Sequence, residues 1–316
     1  MLGKFSAVVE GKALTRLTGS KVQELFAYLL IHRGRPQSRE VLASLLWGDT
    51  ETWRAKKYLR QALWQLHSAL RSFGAAAGTM LCIDPEWIEL RVAPELWLDV
   101  GLLEDAYARV STVESSVALR PADAERLRAA VAVYDDHLLP GWYQDWCAYE
   151  RERFLGIFLS LLDVLMADSE VRGQAEEGIR YGATSLRHDR ARERTHQRVM
   201  RLHCLCGDRA AALRQYDRCV LALDEELGVA PSDETKQLYE EVRNGLPKYT
   251  GARQVSISSD DVRLGELLDR LKHISRNLDG YREQVQSSIK AVELVLGGAS
   301  ETHPARRRSP RLAAAS

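Results

Sequence analysis

The stretch RAKKYLRQALWQLHSALRSF, Arg54–Phe73, decides how the N-terminal part of the chain is read. Leu59, Leu63, Leu66, Leu70 and Phe73 follow one another at spacings of 4, 3, 4 and 3, which sets them on one stripe of a helix. At about 100° per residue, Arg54, Lys57, Tyr58, Gln61, Trp64, Gln65 and Ser68 fall on the other side. A buried stripe behind a face of Arg, Lys and Gln suits a helix lying in a DNA major groove. Cations meet phosphates there, and flat amide or guanidinium forks meet base edges. The same stretch also describes a surface helix with a solvated charged face, so its neighbours must decide.

Upstream, residues 4–9 (KFSAVV) predict a strand, Glu10-Gly11 a turn and Ala13–Leu17 a possible partner strand. Ser20 is placed to cap a helix over Lys21–His32, with Val22, Leu25, Phe26, Leu29 and Leu30 on its apolar side. Gly34-Arg35-Pro36 ends it. Ser38 then caps a helix over Arg39–Leu46, with Val41, Leu42, Leu45 and Leu46 expected inside. Downstream, small residues at Gly74–Gly78 lead to a hairpin, Met80–Ile83 and Trp87–Val92, turning at Asp84-Pro85. Strands, three helices and a hairpin, in that order, let the third helix enter a groove while the hairpin, a wing, touches the adjacent backbone.

From Pro94 the composition changes to acidic and all helical. Apolar periodicity predicts helices near Val100–Val110, Ala122–Tyr134, Trp146–Asp168, Gln174–Leu186, Arg194–Cys206, Asp208–Leu227 and Ser232–Asn244. Gly173 and Gly207 stand 34 residues apart, and the same offset matches Gly178 to Ala212 and Gly182 to Tyr216. That period belongs to tetratricopeptide-like helix pairs, whose small residues let helices approach closely. Residues 246–259 read as a polar linker. From Leu264 a heptad follows, with Leu264, Leu271, Leu278, Val285 and Val292 at one core position and Leu267, Ile274, Tyr281, Ser288 and Val295 at the other. It describes a coiled coil over 260–296, or one amphipathic helix packed on its own protein. The tail 297–316, with HPARRRSPRLAAAS, cannot build a core.

With 45% hydrophobic and 28% charged residues the chain is globular, with about two domains in 316 residues. Its zero net charge is unevenly spread: residues 1–95 carry +4, 96–245 carry −8 and 246–316 carry +4. A basic head on an acidic body favours nucleic acid as the head's partner. No secretory signal opens the chain, and the longest apolar run, 154–166, contains Asp163 and is too short to span a bilayer. Five cysteines with no CxxC read as reduced thiols, so a cytoplasmic location away from membranes is expected.

Enzyme chemistry finds no footing. There is no GxxxxGK[ST] and no GxGxxG after a strand, and no cofactor is called for. His196, His203, Cys204 and Cys206 cluster in sequence, yet residues one and two apart diverge on a helix. Core cysteines and a surface histidine are expected instead of a metal. Asp135-Asp136 and Glu225-Glu226 read as caps or solvated faces.

Three segments carry a family resemblance. SKVQELFAYLLIHRGRPQSREVLASLLWGD with RAKKYLRQALWQLHSAL resembles the winged-helix domain of regulators of the Streptomyces antibiotic regulatory protein (SARP) type. LLPGWYQDWCAYERERF and GDRAAALRQYDRCVLALDEELGVAPSDETKQLYEEV look like the bacterial transcriptional activator domain that follows it in that family. The resemblance implies a mainly α protein: an N-terminal winged helix (α+β, 1–95), an all-α repeat domain (96–245) and, beyond the family pattern, the C-terminal coiled coil. It further implies an activator that binds promoter direct repeats as a dimer and contacts RNA polymerase, through the loop Trp47, Gly48, Asp49, Thr50, Glu51 and Thr52. Two positions depart from it. Trp64 stands outward where the family has a small residue, and His67 replaces a frequent Arg, so relatives' base-reading patterns do not transfer.

Arg54, Lys57, Gln61 and Gln65 are therefore the candidates for base or groove contact. Lys56, Tyr58, Arg60 and Trp64 are candidates for the DNA backbone, with Lys21, Arg35 and Arg39 as outlying phosphate contacts. Double-stranded DNA and polymerase are the expected partners, the coiled coil makes a homodimer, and the helical domain takes a small ligand or a protein. A competing reading makes the chain a scaffold that uses winged helix, repeats and coiled coil for protein assembly.

Overall fold

Three amphipathic helices and three short strands build the head. The computed structural model describes residues 1–9, 12–13, 19–72, 79–91, 96–110 and 119–245. The expected linker, coiled coil with its heptad positions, and tail lie outside these residues, as do Phe73, Gly74–Gly78 and Val92. Helix α1 spans Ser20–Ile31, α2 Arg39–Trp47 and α3 Thr52–Arg71. The stripe Leu59, Leu63, Leu66 and Leu70 is buried, and α3 packs it on α1 and α2. The cap of α1 is Gly19, not Ser20, which is its first helical residue. In α2 the buried residues are Leu42, Ala43 and Leu46, whereas Val41 and Leu45 are 54% and 36% exposed, against expectation. A helix this short meets α3 along one narrow stripe, and Val41 and Leu45 lie about 100° off it.

Gly34, at φ 71°, turns the chain after α1, and its N–H donates to Leu90 O at 2.8 Å. That bond brings up an unpredicted strand, β3 (Gln37–Ser38). It pairs antiparallel with β5 (Trp87–Leu90), which in turn pairs with β4 (Leu81–Ile83), giving the sheet order β3-β5-β4. At the N-terminus only Val8–Val9 (β1) is a strand of two residues, paired with Lys12–Ala13 (β2). Residues 4–7 are not strand as expected, because Leu2 and Gly3 instead bridge to Leu138.

The remaining described helices are α4 (Asp99–Val110), α5 (Pro121–Ala132), α6 (Asp145–Val171), α7 (Ala175–His188), α8 (Glu193–Leu205), α9 (Arg209–Leu227) and α10 (Asp233–Arg243). The molecule is mainly α. Gly173 and Gly207 adopt φ 69° and 75°, and the residue after each donates back into the preceding helix, Gln174 N to Ser169 O and Asp208 N to His203 O. The two turns repeat one geometry at the 34-residue offset. Between them Gly178 and Gly182 let α7 lie against α8, and Ala212 is fully buried at the matching place in α9.

One apolar core runs from the head through α4 and α5 to Leu165 on α6, so the two expected domains share it. The segment LLPGWYQDWCAYERERF folds around Arg151. Its guanidinium donates to the carbonyls of Leu138, Leu139 and Trp142 at 3.0, 3.1 and 2.9 Å. Between head and helices, Arg33 pairs with Glu104 at 2.8 Å, Glu104 with Arg153 at 2.9 Å, and Arg153 with Glu150 at 2.6 Å. Glu150 ends the chain of charges at His32, 3.6 Å away, whose pKa burial lowers.

Candidate nucleic-acid interface

Because α3 spends its leucines on the core, its other side is left to solvent. Arg54, Lys57, Tyr58, Arg60, Gln61, Trp64 and Gln65 are all exposed there. Trp64 is 70% exposed. Lys57, Arg60, Gln61 and Gln65 have no hydrogen-bond or ion-pair partner among the described residues. An exposed row of unpartnered cations and amides costs little to present and keeps every donor available to a ligand.

The other candidates are engaged. Lys56 lies five residues from Gln61, about 140° around the helix. Its Nζ reaches Glu40 Oε1 on α2 at 2.6 Å, and that bond holds the Glu40 carboxyl below its usual range. Arg54 sits 3.4 Å from Glu51 and 5.2 Å over the Trp53 ring. Lys21 pairs with Glu24 at 2.8 Å, on the side of α1 that meets α6. Arg39 donates from Nη1 to Asp84 O at 3.2 Å and so pins the turn of the β4–β5 hairpin to the start of α2. Arg35 stands exposed in the turn after α1. The structure thus gathers seven of the eleven candidates on one face of α3 and leaves Lys56, Lys21, Arg35 and Arg39 off it.

The loop between α2 and α3 is a closed turn: Thr50 N and Oγ1 both bond Trp47 O, at 3.0 and 2.8 Å. Trp47 is half-buried beside Tyr58, whereas Gly48, Asp49, Thr50, Glu51 and Thr52 are exposed. Two aromatic residues were not anticipated. Trp87 is 49% exposed on β5, and Trp53 is 60% exposed, its Nε1 donating to Glu51 at 2.8 Å. Trp53 precedes Trp64 by eleven residues, which brings the two within about 20° on the helix. Lys57 and Arg60 lie between them on nearly the same line. That spacing was the available signal.

The histidine–cysteine cluster also differs from expectation. Cys206 is exposed and Cys204 half-buried, while His196 is buried, because α8 turns His196 toward α9 and Cys206 lies at its frayed end.

Comparisons with known proteins bear on this arrangement. Residues 98–243 match the family model of the bacterial transcriptional activator domain. A solved structure of Mycobacterium tuberculosis EmbR in complex with a low-affinity phosphopeptide is similar, with a TM-score of 0.68 at 18% identity over 78% of this chain. The match covers 65% of that structure's own chain, and at that identity the likeness is one of fold. No curated protein matches the sequence. The domain match and the likeness agree with the resemblance to SARP-type regulators read from the three segments.

Proposed function

We propose that this chain, whose residues 98–243 form a bacterial transcriptional activator domain, is a sequence-specific DNA-binding transcription regulator. The observation that carries the reading is the outward face of α3, where Lys57, Arg60, Gln61 and Gln65 stand exposed and unpartnered beside Trp64. In this reading the head is a winged helix. Gln61 and Gln65 read base edges, Lys57 and Arg60 hold phosphates, and Trp53 and Trp64 pack on sugar and backbone at either side. The β4–β5 hairpin, fixed by Arg39, is the wing.

The resemblance extends the reading to an activator. It binds direct repeats as a dimer through residues 260–296 and meets RNA polymerase with the exposed residues of the Trp47–Thr52 loop. The helical domain passes a signal to α1 through the shared core and the Arg33–Glu104–Arg153–Glu150 charges.

A second reading, a scaffold that binds proteins, draws support from the modest charge of the head and from the pairing of Lys56, Lys21 and Arg54 with carboxylates. Binding of the full chain to duplex DNA at about 50 and about 200 mM salt separates the two. A regulator binds at the lower concentration with sequence preference and weakens steeply at the higher. Absence of binding at low salt selects the scaffold.

A further inference from the structure

The helical domain holds a cleft that the α3 face does not use. Its volume is about 400 Å³, within the range of pockets that take a small organic molecule. Helices α7, α8 and α9 each line it with one stripe, and Ile179, Val199 and Ala222 give it an apolar floor. A single turn of α-helix with its side chains fills roughly 500 Å³, so a helical peptide overfills it.

Two buried polar groups sit in this floor and brace its rim. His196 and Gln215 are 3% and 4% exposed and bond each other at 2.7 Å, while His196 Nε2 meets Arg190 O at 2.9 Å. A neutral imidazole that donates from Nε2 and accepts at Nδ1 satisfies both contacts. Gln215 Oε1 then accepts from Arg218 Nη1 at 3.4 Å, which holds that guanidinium at the cleft.

The rim is cationic. Arg190 is spent on Glu225 and Glu226, at 2.8 and 3.7 Å. Arg187 and Arg218 pair with no carboxylate among the described residues, and none of the described lining residues is acidic. Two unpaired guanidinium groups over an apolar floor, in an otherwise acidic domain, suit an anionic head on an apolar body. We infer that this cleft binds a small organic anion, its carboxylate or sulfonate held by Arg187 and Arg218 and its apolar part resting on Ile179, Val199 and Ala222. A regulatory use of the site rests on the function proposed above; the binding itself does not.

The test uses the full chain and two dyes: 8-anilinonaphthalene-1-sulfonate, and N-phenyl-1-naphthylamine, which has the same rings without the sulfonate. The anionic dye is expected to bind one saturable site. The double substitution Arg187→Gln/Arg218→Gln raises its Kd about tenfold and leaves the neutral dye unchanged. Ala183→Phe, on the cleft wall, removes both, which keeps the test valid if the arginine variant misfolds. Decanoate displaces the anionic dye. Binding indifferent to both variants, or displacement by an acidic decapeptide but not by decanoate, overturns the site. Duplex affinity with and without saturating dye tests the coupling separately. A change supports a control role, and no change overturns that role while the site stands.

Discussion

The indole Nε1 of Trp146 on α6 donates a 3.1 Å hydrogen bond to the buried carboxylate of Glu24 on α1. This bond joins the head to the helical domain across 122 residues of chain. Trp146→Phe keeps most of the ring and removes the donor, leaving Glu24 with Lys21 as its remaining partner. A buried acceptor stripped of a donor costs about 1–3 kcal/mol, and each kcal/mol lowers the melting temperature of a body this size by roughly 2–4 °C. Calorimetry is expected to show one transition, shifted down, because head and helices share a core. An unshifted transition contradicts the importance of this bond.

Gly182 and Gly156 make opposite predictions from the same substitution. A Cβ at Gly182 lies 2.3 Å from Val199 Cγ2 and 3.0 Å from Met166 Cε, whereas one at Gly156 meets nothing within 4 Å. Alanine gains about 0.5–1 kcal/mol over glycine in a helix, but overpacking a core costs about 1–3 kcal/mol. Gly156→Ala is therefore expected to raise the urea midpoint and Gly182→Ala to lower it. Adding Val199→Ala to the second restores part of the loss.

Acid weakens the fold through its histidines. Burial holds His196 below its ordinary 6.5, against hydrogen bonds that act the other way, and burial also lowers His188 and His203. The unfolded chain takes up these protons first, so their contribution is complete above pH ~6.5 and is lost as the pH falls through the lower folded values. The melting temperature is expected to drop between pH ~7 and pH ~5.5, and His196→Gln to flatten part of that slope. Equal slopes for both proteins exclude His196 as a contributor.

The heptad from Leu264 to Val295 predicts self-association. Deleting residues 260–296 is expected to give a monomer by sedimentation, with much weaker binding to a repeated DNA site. A deleted protein that stays dimeric removes the coiled coil from the account.

Much of the fold was legible because strong periodicity leaves little choice. The leucines of α3 and the glycines at 173 and 207 predicted a helix face and a repeated turn that the structure contains. Weak or non-local signals failed. Gln37–Ser38 has no pattern of its own and is a strand only because Trp87 and Ile88 lie beside it. Val41 and Leu45 share the chemistry of Leu42 and Leu46, and only the position of α3 leaves them outside. The engagement of Lys56 by Glu40 needed the distance between two helices. The cleft needed three, since its residues are spread from Ile179 to Ala222.

The central claim, that the outward face of α3 reads DNA, is tested most directly by Gln61→Ala and Arg60→Ala. Each variant is assayed against a duplex selected from a random library and against random-sequence duplex. Loss of a base contact is expected to cost about 1–3 kcal/mol on the selected duplex, so Gln61→Ala narrows the affinity ratio between the two duplexes. Loss of a phosphate contact weakens both alike and lowers the salt slope by about 1, so Arg60→Ala leaves the ratio unchanged. Equal losses on both duplexes for both variants contradict base reading by α3, and unchanged binding by both variants removes α3 from the interface.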